Sequence, residues 1–187
     1  MSGNTFGAKL FSDGKRIAPM LPEFPDLTKC KKCDTIFWLS KLKEIGTYEW
    51  GDDKNSKWHN ADEAEFLEID DYYMAIDEGI ADNITEEFII RKLIWWAYND
   101  RTRKAQEIFR DENDELRWIE NLKKLKALLD QENLDEKIMI AEINRNLGDF
   151  ENCILMIQSI DNDDLKWIKE RFINECKQKN KRVIEIN

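Results

Sequence analysis

Between residues 69 and 80 the apolar side chains Ile69, Tyr72, Tyr73, Ile76 and Ile80 recur at i, i+3, i+4, i+7 and i+11. That spacing suits a helix burying one stripe and no other regular element. The same period persists through the rest of the chain. Asn83 or Thr85, followed by Glu86 and Glu87, reads as the cap of a second helix, "EEFIIRKLIWWAYND". A carboxamide or hydroxyl can accept the unpaired N–H groups of a first turn. This helix is apolar around most of its circumference, which predicts a central position. A third follows "RDENDE", with Trp118, Leu122, Leu125 and Leu129 in register. "DEKIMIAEINRNLGDFENCILMIQSI" predicts a helix, a tight turn at Gly148 and another helix. "DDLKWIKERFINECKQ" predicts a last helix with Leu165, Ile168, Phe172 and Cys176 aligned. "RVIEI" reads as a short strand or an ordered tail. The expected body is all-helical.

The chain changes character near residue 60. Upstream, "SDGK" is a turn signal, and the three prolines, Pro19, Pro22 and Pro25, favour an extended strip laid along the protein's own surface. "TIFWL" reads as a short strand, and "LSKLKEIG" as one or two helical turns stopped by Gly46. The predicted organisation is an extended, knuckle-like segment over 1–60 and a helical domain over 61–187. Charge follows the same division: 10 Lys/Arg against 8 Asp/Glu in the first part, 19 against 31 in the second. Within it, Lys29, Lys31, Lys32, Lys41 and Lys43 face only Asp34 between 29 and 43, while 61–82 holds nine acids and no base. The two stretches are either partners within the molecule or separate solvated faces.

The net charge of −10 disfavours nucleic acid as the main partner, because phosphate binding needs a basic surface. No apolar run approaches a membrane span, and the N-terminus lacks an apolar signal region. Four scattered cysteines then point to reduced thiols and a cytoplasmic setting. Two of them, Cys30 and Cys33 in "TKCKKC", make a CxxC knuckle suited to zinc. A structural zinc ion takes four ligands, and no second CxxC exists. His59, the single histidine, could swing in from its loop. The alternatives are a knuckle without metal and a half-site completed by a second chain. Cys153 and Cys176 fit apolar helix positions and read as small core residues. A strand–helix context placing the CxxC at a helix N-terminus, which a thioredoxin-type pair needs, is not evident.

A second cluster lies in "IIRKLIWWAYNDRTRK". Arg91, Trp95 and Asn99 share a helix face, with Arg101 close by. As a pocket they would stack a ligand on indole and grip an anion with guanidinium. As structure, both tryptophans enter the core, and Asn99 with Asp100 ends the helix; the large area of indole favours this reading. Nucleophilic catalysis has one histidine to draw on, and no glycine-rich phosphate loop is present. Asp70 and Asp77 would share a helix face, as carboxylates on solvated helices commonly do.

"AEINRNLGDFENCILMI" resembles a tetratricopeptide repeat. Ala141 sits where the first helix meets its neighbour, Gly148 turns the chain, Phe150 opens the second helix, and Cys153 takes a close-packed position usually held by alanine. Lys137 stands where the repeat usually has an aromatic, Ile160 replaces a small residue, and the terminal proline is missing. A step of about 34 residues upstream, the repeat's period, meets no second glycine turn, so the resemblance covers one hairpin, 136–160, and no array. Taken whole, "SDGKRIAPMLPEFPDLTKCKKC" with "FWL", "LIWWAYNDRTR" and "LGDFENCILMI" make the chain similar to a group of bacterial proteins of uncharacterised activity. That resemblance implies an N-terminal CxxC knuckle, a helical body and a repeat-like hairpin.

The expectation is a mainly α protein that binds another protein through its repeat-like surface. A zinc-knuckle factor associated with nucleic acid or ribosomes is the first alternative, from the basic 29–43 segment beside Phe37 and Trp38. An enzyme with a pocket at Arg91 and Trp95 is the second. The partner's identity and the oligomeric state stay open.

Overall fold

The computed structural model describes residues 5–21, 23–46 and 64–186. Its regular elements are five short strands and six helices: β1 (Lys9–Leu10), β2 (Arg16–Ile17), β3 (Leu27–Cys30), β4 (Ile36–Trp38), β5 (Ala64–Glu65), α1 (Ile69–Asp77), α2 (Ile84–Arg103), α3 (Glu112–Ala127), α4 (Leu134–Leu147), α5 (Phe150–Gln158) and α6 (Lys166–Lys177). The fold is mainly helical with a small antiparallel β region near the N-terminus. No described helix is long and apolar enough to cross a membrane.

Two compact units emerge, and they do not follow the division at residue 60. One joins Met1–Pro22 to Asn83–Asn187; the other is Glu23–Asp82. The smaller unit is a three-stranded antiparallel sheet in the order β4-β3-β5, with α1. Thr28 Oγ1 donates to the Glu65 carbonyl at 2.6 Å. Asp71 ties α1 to the sheet: its Oδ2 accepts the Glu68 N–H at the start of the helix (2.8 Å) and pairs with Lys29 of β3 (2.9 Å). Lys41 pairs with Asp82 at 2.6 Å, and Trp38 Nε1 donates to the Ile80 carbonyl at 3.2 Å. The basic and acidic stretches are therefore partners inside one unit. "LSKLKEIG" forms a single 3-10 turn, Leu39–Lys41, and no longer helix.

In the larger unit "SDGK" makes the β1–β2 hairpin, with Gly14 left-handed at φ 76°. The predicted polyproline strip is interrupted there, since the Leu21 N–H closes a turn onto the Ala18 carbonyl. "RVIEI" is an ordered tail: Ser12 N–H donates to the Ile184 carbonyl, Ile186 N–H to the Leu10 carbonyl, and Phe11 bridges to Glu185. Helices α2 to α6 pack in chain order, each against the next. Asn83, Asp111, Asn133 and Asp149 each cap a first turn through a side-chain oxygen. Gly148 ends α4 at φ 83°, a left-handed position that costs an L-residue about 1–2 kcal/mol. Among α4, α5 and α6, Ala141, Cys153, Ile157, Ile160, Ile168, Phe172 and Cys176 form one buried apolar cluster. Burial pushes the Cys153 and Cys176 thiols up, as expected of core cysteines.

Helix α2, expected at the centre, buries one face: Ile90, Arg91, Ile94, Trp95, Tyr98 and Asn99. In α4 every residue from Ile140 to Asn146 is buried. Four of those seven are polar or charged, and their partners come from the hairpin, α2, α3, the tail and α4 itself.

Candidate functional site

Arg91, Trp95, Asn99 and Arg101 do not converge on one pocket. Arg91 is buried against its own neighbours, Nε to Glu87 Oε1 at 2.7 Å, and takes up Asn121, whose Nδ2 donates to the Arg91 carbonyl at 3.0 Å. Trp95 is fully buried and its Nε1 donates to Asn146 Oδ1 of α4 at 2.7 Å. Asn99 Nδ2 donates to Asp13 Oδ2 at 2.8 Å. Arg101 pairs with Asp114 at 2.9 Å and donates to the Ile108 carbonyl at 2.8 Å. The helix also runs past Asn99 and Asp100 to Arg103. Side chains sharing one helix face are thus distributed among four different partners.

Two of those partners, Asp13 and Asn146, belong to two buried polar networks. In the first, Asp13 of the hairpin turn accepts from Asn99, pairs with Arg103, and receives Trp96 Nε1 on its carbonyl at 2.9 Å. Arg103 pairs with Asp100 at 2.6 Å and stacks over Phe11 at 4.5 Å, while Lys15 reaches Asp100 at 2.7 Å. In the second, Glu142 accepts from Ser12 Oγ (2.7 Å), Arg145 Nη2 (2.5 Å), Arg145 Nε (2.8 Å) and Asn146 Nδ2 (3.1 Å). Arg145 Nη1 donates to the Asn180 carbonyl and Asn146 Nδ2 to the Lys181 carbonyl. Burial works against the Arg145 charge, and the adjacent Glu142 carboxylate more than offsets it, raising the guanidinium. These donors and acceptors are turned on one another, so their chemistry is spent on holding hairpin, α2, α4 and tail together. The signal in the sequence was the set Glu142, Arg145, Asn146, at i, i+3 and i+4 beside the apolar Ile140, Ala141 and Ile143.

A third polar cluster sits at the start of α3. Tyr98 Oη donates to Asp114 Oδ1 at 2.6 Å, Arg101 to Oδ2 at 2.9 Å, and the Arg110 N–H to Oδ2 at 2.9 Å. Burial works to raise the Asp114 carboxyl, and the hydrogen bonds from Tyr98, Arg110 and Arg101 overcome it, holding the group well below the usual carboxylate range. Tyr98, Phe109 and Trp118 pack around it with ring centroids 5.1–6.5 Å apart.

Open chemistry lies elsewhere, on the opposite side of α4. Lys137, Ile140 and Asn144 of α4 face Asn152, Leu155, Met156 and Ser159 of α5 across a groove of about 550 Å³. Both sets fall at i, i+3, i+4 or i+7, so each is one helix face. Lys126 of α3 and the α3–α4 link at Gln131 and Glu132 close one side. Ile140 is the buried floor, while Leu155 is 58% exposed. Lys126 Nζ is committed to Asn144 Oδ1 at 2.6 Å. Among the described residues no hydrogen bond or ion pair engages the Lys137 ammonium. Lys137 is also one of the residues that depart from the repeat pattern, which was the available signal. The contributions of Lys126, Gln131 and Glu132 carried no periodic mark.

The CxxC stands at the tip of the β3–β4 hairpin. Cys30 N–H donates to the Thr35 carbonyl (3.0 Å), Asp34 N–H to the Cys30 carbonyl (2.9 Å), and Asp34 is left-handed at φ 55°. Cys33 Sγ lies 3.2 Å from Thr35 Oγ1. The Thr35 hydroxyl, then its backbone, then Cys30 lower the Cys33 thiol through hydrogen bonds. Both thiols are free, and Cys33 is exposed. His59, the third ligand considered from sequence, lies outside the described residues. Among those described, no group of three or more His, Cys, Asp or Glu side chains is placed to hold a metal. No family model, curated relative or solved structure matches the chain.

Proposed function

We propose that the protein is an interaction module whose α3–α5 groove receives a partner's peptide segment bearing an apolar side chain beside a carboxylate. The observation that carries this is the groove itself. Over the buried Ile140 floor its apolar wall, Leu155 and Met156, is left partly uncovered, and Lys137 stands at the rim with its charge unspent. In a chain of net charge −10, a lining with two lysines against one glutamate is a local reversal of sign. It favours an acidic segment over a basic one. The resemblance of 136–160 to a tetratricopeptide hairpin supports the same reading, because Ala141 and Cys153 are both fully buried in one cluster. So does the serial packing of α2 to α6, an arrangement that leaves long helix faces for binding.

The test is selection of peptides from a random display library on the immobilised protein. Enriched sequences should pair Asp or Glu with Leu, Ile or Phe. Their affinity should fall at least about tenfold, the worth of one lost charge-assisted bond, in each of Lys137→Glu and Leu155→Asp. Both positions are on the surface, so thermal unfolding should stay close to that of the parent. A library without enrichment, or peptides that bind both variants undiminished, would reject the groove as the site.

A further inference from the structure

The hairpin tip holds a second, independent feature. Cys30 closes β3 and Cys33 lies three residues on. The turn between them is fixed by two backbone hydrogen bonds and the left-handed Asp34. The backbone thus brings both sulfurs to the same lip, as a chelating pair. Lys31, Lys32, Asp34 and Thr35 around them are exposed, so the lip faces outward without cover from its own hairpin. A thiolate pair selects soft cations, and a structural Zn²⁺ is almost always four-coordinate. The described residues of one chain offer two such ligands at this place and no third.

We propose that Cys30 and Cys33 are half of a zinc site that a second copy of this chain completes with the same two residues. A two-fold axis through the metal relates the two pairs of sulfurs, and two-fold pairing is the commonest way identical chains close an interface. Charge supports a tetrathiolate. Four thiolates around one Zn²⁺ leave two negative charges, and Lys31 and Lys32 of each copy flank the metal to balance them. A pair completed by neutral ligands would carry no excess charge and would gain nothing from these lysines. Binding releases the thiol protons and oxidises nothing, so no co-reactant is needed.

The experiment titrates ZnCl₂ into the chelator-stripped, reduced full chain while its mass is followed by sedimentation. Saturation is expected at one zinc per two chains, with the mass rising from 22.3 kDa to twice that value. Co²⁺ in place of Zn²⁺ should show tetrahedral d–d bands with intense thiolate charge transfer. Cys30→Ser and Cys33→Ser should each abolish the mass change, and His59→Ala should leave it intact. Saturation at one zinc per monomeric chain would overturn the proposal, all the more if it depended on His59. A metal-independent mass would overturn it equally. Because the groove and the cysteines are separate, failure here leaves peptide selection unaffected, and the reverse also holds.

Discussion

Helix α4 presents two faces made of similar residues with opposite fates. On one, Glu142, Arg145 and Asn146 are fully buried and saturated with hydrogen bonds from Ser12, the tail carbonyls and each other. On the other, Lys137 and Asn144 border a groove whose walls are partly uncovered. Residue type does not separate the two. What separates them is whether a distant segment arrives to complete the donors and acceptors. Polar chemistry that the fold completes serves the fold, and polar chemistry left open at the surface is what a partner can use.

The buried face should give the largest effect. Removing one member of a buried ion pair leaves an uncompensated charge, which costs about 3–5 kcal/mol. Arg145→Met and Glu142→Met are each expected to lose stability in that range by urea denaturation. The double variant should recover a good part of the loss, because a buried pair replaced by apolar groups of similar volume is close to neutral. If either single change cost under about 1 kcal/mol, the distinction between the faces would collapse, since the network would then be as dispensable as an exposed ion pair.

The periodicity that made six helices legible explains why this network was not. Counting apolar residues located α1 to α6, Asn83 as a cap and Gly148 as a turn, because those features depend on residues close in sequence. Glu142, Arg145 and Asn146 interrupt the apolar stripe of α4 and so look solvated. Their burial depends on Ser12 and on the carbonyls of Asn180 and Lys181, more than 30 residues away in either direction. The same cause dispersed the anticipated pocket on α2. Arg91, Trp95, Asn99 and Arg101 do lie along one helix, yet Asn121, Asn146, Asp13 and Asp114 draw them apart.

Asp114 sharpens the comparison through pH. Its folded carboxyl is held below the ordinary value, so its contribution is fully present above the unfolded pKa of about 3.9 and is lost as pH falls through and beneath it. Asp114→Asn should therefore cost about 1.5–3 kcal/mol near neutrality, the usual worth of hydrogen bonds to a charged group. The gap to the parent should close progressively below about pH 4. A gap that stayed constant down to pH 2 would mean that the loss comes from packing around Tyr98 and Trp118 and owes nothing to the carboxylate.

The smallest effect belongs to the groove, where two lysines on neighbouring helices differ only in commitment. Lys126 is bonded to Asn144 at 2.6 Å, whereas Lys137 has no partner among the described residues. Lys126→Met should lose about 0.5–1.5 kcal/mol, one net hydrogen bond. Lys137→Met should stay within about 0.5 kcal/mol of the parent, as surface changes that touch nothing do. For peptide binding the order should reverse, with Lys137→Met the more harmful, because only an uncommitted charge can be offered to a ligand without first breaking an internal bond. Equal losses of stability at the two positions would show that Lys137 is already engaged, and the open face of α4 would then be no more available than the closed one.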